Sequence, residues 1–154
     1  MAVYFFDTSA AVKRYVQETG TGWVQSLLDP EARNFIYVVR LCAVELTSAV
    51  ARRRQGGSIV TSQAASILSQ FRQDLALRYR IIEITQALLS DATQLAEAHA
   101  LRAYDAVQLA AANALHVHRL ANGMKPAAFV SADIELNAVA TALGLSVDNP
   151  NLHL

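Results

Sequence analysis

Four carboxylates lie far apart in this 154-residue chain, each among apolar or small residues: Asp7 in VYFFDTSA, Glu45 in LCAVELTSAV, Asp105 in LRAYDAVQLAAA and Asp133 in FVSADIEL. Burying a carboxylate strips its hydration, a cost that a partner charge or a cation offsets. Four of them brought together would hold a hard divalent ion, magnesium or manganese, through oxygen ligands. Such an ion can neutralise a phosphodiester, activate a water and stabilise a leaving oxygen. Without a cation, four clustered carboxylates should repel one another and titrate as a coupled group, at least one with a raised pKa.

Each acid also has an ordinary explanation. Asp7-Thr8-Ser9 and Ser131-Ala132-Asp133 both open apparent helices, and Asp, Ser and Thr are preferred N-caps. Glu45 and Asp105 are expected in the first turns of apolar helices, where the helix dipole favours an acid by a few tenths to about 1 kcal/mol. These accounts treat the acids one at a time and leave their shared setting unexplained, since the nine other acids lie mostly in polar surroundings.

Cations are candidates for phosphate contact. Lys13 and Arg14 follow Asp7 by about two helical turns or less, and Arg52 opens the run Arg52-Arg53-Arg54, whose planar guanidinium forks suit phosphate. A solvated helix face for the first pair, and a helix C-terminus complementing its dipole for the run, are the competing accounts. His116 and His118 are two residues apart, so a helix points their rings roughly 200° from each other and they make no ligand pair. Cys42 reads as a small core residue, and Tyr15, Trp23 and Tyr37 as core aromatics rather than base-stacking platforms. His99 and His153 read as solvent-facing or capping.

The elements that must position these groups alternate. Strands are expected at 2–6, 34–39, 80–84 and 127–130, with a weaker one at 145–147. Helices are expected at 9–18, 21–28, 42–55, 59–77, 86–100, 104–119 and 133–142. Gly56-Gly57 and Asn122-Gly123 are breaks. The strands are continuous apolar runs, the mark of a sheet covered on both faces, and their alternation with helices predicts a three-layer α/β/α fold with a mainly parallel central sheet. Ligands in such sheets bind beyond the strands' carboxyl ends, where Asp7 and Asp133 fall.

Composition sets the class. A chain that is 53% hydrophobic at this length can bury a real core, and no linker or repeat interrupts it, so a single domain over 1–154 is expected. No apolar run approaches the roughly 20 residues that span a bilayer, and the N-terminus lacks a secretory pattern. A single cysteine excludes an intramolecular disulfide and a thiolate cage. A soluble, cytoplasmic protein is expected. With 13 basic and 13 acidic residues, net charge offers no argument for nucleic acid.

Taken together, FFDTSAAVKRYV, CAVELTSAVAR, LRAYDAVQLAAA and FVSADIELNAVATALGL resemble, in order and spacing, the motifs of PIN-domain nucleases of the VapC toxin type. The likeness covers nearly the whole chain. It implies a PIN-like fold and a magnesium- or manganese-dependent ribonuclease, with Asp7, Glu45, Asp105 and Asp133 as catalytic and metal-site acids. Asp7 and Asp105 are then the principal ligands, with Glu45 and Asp133 completing the site directly or through water. Ser9 and Ser131 match positions implied to support the site or position water. The resemblance further implies an RNA substrate, a homodimer and a cognate antitoxin that lays a segment near the acids. An apolar stripe through Ile59, Ala64, Ile67, Leu68, Phe71 and Leu75 is broad enough for a core face, part of which could meet a partner. Competing readings fit less well. A phosphoryl-accepting receiver needs a lysine after a late strand, whereas Lys125 precedes one; a haloacid-type phosphatase needs Asp-x-Asp where Asp7-Thr8-Ser9 stands. The alternative from another class is a non-catalytic PIN-like scaffold binding RNA or protein.

Overall fold

The computed structural model describes residues 1–154. Its elements are β1 (Val3–Phe6), α1 (Thr8–Ala11), α2 (Thr21–Leu27), β2 (Phe35–Val39), α3 (Leu41–Gln55), α4 (Thr61–Leu77), β3 (Tyr79–Ile82), α5 (Gln86–His99), α6 (Ala103–Ala121), β4 (Ala128–Val130), α7 (Ile134–Ala142) and β5 (Ser146–Asp148). All five strands run parallel in the order β3-β2-β1-β4-β5. Helices cover both faces, as the continuous apolar strands require. Val3 and Phe5 of β1 enter one buried cluster with α5, α6 and α7, whereas Phe6 enters a second with α1 to α4.

Topology decides where a site can form. From β1 the chain steps outward through β2 to β3, then returns to the opposite side of β1 with β4 and β5. The carboxyl ends of β1 and β4 therefore flank the switch point, where a crevice opens in folds of this kind. Pairing of Phe6 with Val130 sets the two ends level, and the Asp7 amide donates to the Val130 carbonyl at 3.1 Å just beyond. Only Arg40 separates β2 from α3, so α3 starts beside the same edge. Ala100, at φ 53°, ends α5 in the left-handed region, and α6 begins three residues later at Ala103. Gly20 needs its missing side chain: at φ 86°, a Cβ there would meet the Pro150 carbonyl oxygen at 2.2 Å.

Two local expectations are corrected. The helix expected over 9–18 ends as α1 at Ala11 and tightens into a 3₁₀ turn over Val12–Arg14. The reason is tertiary. Lys13, only 3% exposed, donates from Nζ to Glu18 Oε2 at 3.0 Å and to the Thr19 carbonyl at 2.9 Å. Arg14 donates from Nε to Asp74 Oδ2 at 2.7 Å. Asp74, buried on α4, also accepts from the Tyr15 hydroxyl at 2.7 Å and pairs with Arg78 at 3.2 Å. Two of the three cations proposed for phosphate, Lys13 and Arg14, are thus committed to intramolecular pairs. The second correction concerns Glu45: α3 starts at Leu41, which puts Glu45 in the second turn, where the dipole's help has faded.

Replacing Asp74 leaves two guanidinium groups and a half-buried phenol without their shared acceptor. Asp74→Ala should therefore lower unfolding free energy by about 3 kcal/mol in urea titrations; a loss below about 1 kcal/mol would show that the network carries little of the packing between α4 and the Val12–Arg14 turn.

Candidate metal centre

Asp7 caps α1 at the end of β1. Its Oδ1 accepts from the Ala10 amide at 3.0 Å and from Ser9 Oγ at 2.6 Å, while Oδ2 accepts from Ser131 Oγ at 2.6 Å. The capping account is thus correct for Asp7, yet it does not exhaust the carboxylate, since Oδ2 keeps a lone pair. Asp133 caps α7 in the same way, with Oδ1 accepting from the Leu136 amide at 3.0 Å. Ser131 Oγ in turn accepts from the Asp133 amide at 3.1 Å, and Ser9 Oγ accepts from the Ala132 amide at 2.9 Å. The two serines therefore lock the ends of β1 and β4 together through Asp7.

Glu45 reaches the same place from α3. Its Oε1 accepts from Thr8 Oγ1 at 3.1 Å and from Gln108 Nε2 at 2.8 Å, and Gln108 also donates to Thr8 Oγ1 at 3.1 Å. Oε2 is left unengaged. Gln108, 2% exposed, leaves its own Oε1 buried without a partner. A buried orphan of this kind costs about 1–3 kcal/mol, which marks the amide's other end as the one the fold retains it for. Asp105, in the first turn of α6, accepts no hydrogen bond and forms no ion pair.

Asp7, Thr8, Ser9, Glu45, Tyr104, Asp105, Gln108 and Asp133 line one cavity of about 200 Å³. All four acids read from the sequence converge there. A larger hollow of about 770 Å³ lies elsewhere, between the start of α2 and the C-terminal residues, and its one acid, Glu18, is already paired with Lys13 and Arg53. His153 stacks on Trp23 beside it and pairs with Asp148 at 2.7 Å, so it is neither free nor a cap.

Burial pushes the Asp7 carboxyl up to about 6 against the pull of its three donors, with Asp105 adding to the rise. Asp105 is likewise pushed up to about 6, by burial first and then by the charges of Asp133 and Glu45, with Arg102 opposing. The lining is purely oxygen donors plus one amide, with neither thiolate nor imidazole, and so suits magnesium or manganese. As the side chains stand, no three acids draw close enough to one point to hold an ion directly. Magnesium keeps several of its own waters, so a ring of acids around a cavity fits it better than a tight protein cage would.

Of the remaining candidates, Arg52 stays exposed and makes no ion pair, whereas Lys13 and Arg14 are spent elsewhere. Cys42 lies fully buried with its thiol pushed up to about 12 by burial, as a core residue should. Sequence reading passed over Thr8, Gln108 and Tyr104. Gln108 had a signal: three residues after Asp105 on a helix, it shares that residue's face.

An all-parallel α/β sheet between two helical layers, with carboxylates gathered at its switch point, defines a PIN-like domain with a candidate divalent-metal centre. No protein-family model matches the chain. It is 33% identical over 107 residues to Ribonuclease VapC45 and to Ribonuclease VapC49 of two Mycobacterium tuberculosis strains, spanning 70% of this chain and 72% of each relative. The chain belongs to the VapC family. Its fold matches VapBC2 from Rickettsia felis, solved bound to a promoter DNA fragment, at TM-score 0.61 and 18% identity over 96% of this chain and 98% of that one. FitAcB from Neisseria gonorrhoeae aligns at 0.62 with 17% identity over 99% of both, and a toxin-antitoxin complex from Klebsiella pneumoniae at 0.60 with 19% identity over 96% and 97%.

The raised carboxyls invert the usual acid dependence. Because folded Asp105 holds its proton up to about pH 6 while the unfolded residue releases it near 3.8, its contribution favours folding at low pH and is lost as pH rises through 6. In chelator, Asp105→Asn should raise the melting temperature at about pH 7.5 and leave it nearly unchanged at about pH 4. Equal shifts at both pH values would remove charge repulsion as the cause.

Proposed function

We propose that this chain is an endoribonuclease that hydrolyses RNA phosphodiester bonds with magnesium or manganese, and that it acts as the toxin of a toxin-antitoxin pair. The observation that carries this reading is Asp105: a half-buried carboxylate without any protein partner, set beside three further acids. The α6 dipole favours an acid in its first turn by at most about 1 kcal/mol, which does not account for setting it beside three others. The kinship to proteins named as ribonucleases supports the choice of RNA.

In this reading Asp7 and Asp105 are the principal ligands of the ion, and Glu45 and Asp133 complete the site directly or through water. The bound ion would supply charge neutralisation at the scissile phosphate and an acidified water as nucleophile. The protein's part is positioning. Ser9 and Ser131 donate to Asp7 and fix its carboxylate plane. Thr8 and Gln108 donate to Glu45 Oε1, which fixes the carboxylate in place and leaves Oε2 without a protein partner. Asp133, anchored through Oδ1 by the α7 amide, offers Oδ2.

The partners follow from the same kinship. The structural neighbour from Klebsiella pneumoniae is a toxin-antitoxin complex, which supports a cognate antitoxin here. A homodimer is part of the proposal, as is action in the cytoplasm, where RNA is met. No helix is long and apolar enough to cross a membrane.

Purified chain, free of antitoxin, should cut total cellular RNA in magnesium or manganese and stop in excess chelator. Asp105→Asn, folded as judged by circular dichroism, should lose about two orders of magnitude or more of that activity. Cleavage that persists in chelator, or that survives this substitution, would overturn the metal-dependent reading.

A further inference from the structure

A second groove opens off the acid cavity. It measures about 380 Å³, is lined by Thr8, Val44, Glu45, Ser48, Ala49, Arg52 and Tyr104, and shares Thr8, Glu45 and Tyr104 with the cavity of acids. One wall is α3. Val44, Ser48 and Arg52 follow one another at four-residue steps, so they form one exposed stripe running away from Glu45. The other wall is Tyr104, at the start of α6, 42% exposed and held through its hydroxyl, which accepts from Arg102 Nη1 at 2.9 Å. Val44 is 67% exposed.

We infer that this groove is the subsite for the nucleotides next to the scissile phosphate of a single-stranded RNA, with the Tyr104 ring stacking a base and the Arg52 guanidinium holding a phosphate further along. The inference rests on the nuclease reading and adds the direction of the strand across the surface. Its chemistry is consistent from end to end. The acids with their cation take an anion at one end, and Arg52, unpaired, takes an anion at the other; a basic peptide would suit the first and be repelled by the second. Seven residues of helix from Glu45 to Arg52 span about 10 Å, or some three steps of a stacked strand. Between them an aromatic face and an exposed valine offer the apolar contact a base needs, and Ser48 a hydroxyl within the ribose's reach. Stacking of this kind tolerates any base, so the groove supplies affinity rather than sequence choice.

The test is binding of a fluorescent mixed-sequence single-stranded RNA, followed by anisotropy across a salt series in magnesium. The protein carries Asp105→Asn so that the probe stays whole. Adding Arg52→Gln should make the slope of log affinity against log salt shallower by about 0.7, the value of one phosphate contact on a single strand. Adding Tyr104→Leu should weaken binding about tenfold and leave that slope unchanged. A merely structural role for either residue would not divide the effects in this way. If the chain with Asp105 intact cuts RNA, yet both added substitutions leave affinity and slope as they were, the groove is overturned and the nuclease reading stands. A chain that neither cuts nor binds RNA overturns both.

Discussion

The geometry around the site depends on one carboxylate held where it is least comfortable. Asp7 sits at the carboxyl end of the central strand, 5% exposed, and its three donors come from the α1 cap and from the two serines. Burial still outweighs those donors and keeps its carboxyl near 6. The same contacts tie β1 to β4 across the point where the sheet's order reverses, so the group that strains the site electrostatically also fastens it mechanically. Glu45, Asp105 and Asp133 then arrive from three separate helices. Their placement follows from short connections off parallel strands rather than from any contact among themselves.

Several polar features near the cavity look like defects if stability is the only criterion. Asp105 has no partner, Gln108 buries an unsatisfied carbonyl oxygen, and Asp7 resists ionisation. Elsewhere the same chain pairs its buried charges well: Asp74 satisfies Arg14, Tyr15 and Arg78, and Lys13 finds Glu18 and a carbonyl. The contrast is within one molecule. An unpartnered carboxylate and an unsatisfied amide oxygen at one cavity, in a chain that pairs its buried charges elsewhere, point to a use for the cavity.

Much of this was legible in the sequence. Apart from the helix over 9–18, the strands and helices fall within a residue or two of their expected places because the apolar runs were short, continuous and cleanly interrupted. The convergence of the four acids could be anticipated because parallel α/β sheets send their strand ends to one edge. What was not legible depended on distant partners. Arg14 lies 60 residues from Asp74, so nothing local told that its charge was spent, and Lys13 shows the same problem on a shorter scale. The helix over 9–18 failed for this reason too: local pattern favoured its continuation, while two buried ion pairs stopped it. Thr8 and Gln108 escaped notice because hydroxyl and amide side chains carry no charge to flag them, although the spacing from Asp105 to Gln108 was available.

The central claim is that the cavity between β1 and β4 holds a divalent cation through these acids. Diffraction from crystals grown in manganese, recorded at the manganese absorption edge, tests it most directly. The account predicts an anomalous peak inside the cavity, within ligating or water-bridged reach of Asp7 and Asp105. Manganese bound only elsewhere, or an empty cavity at saturating manganese, would contradict it.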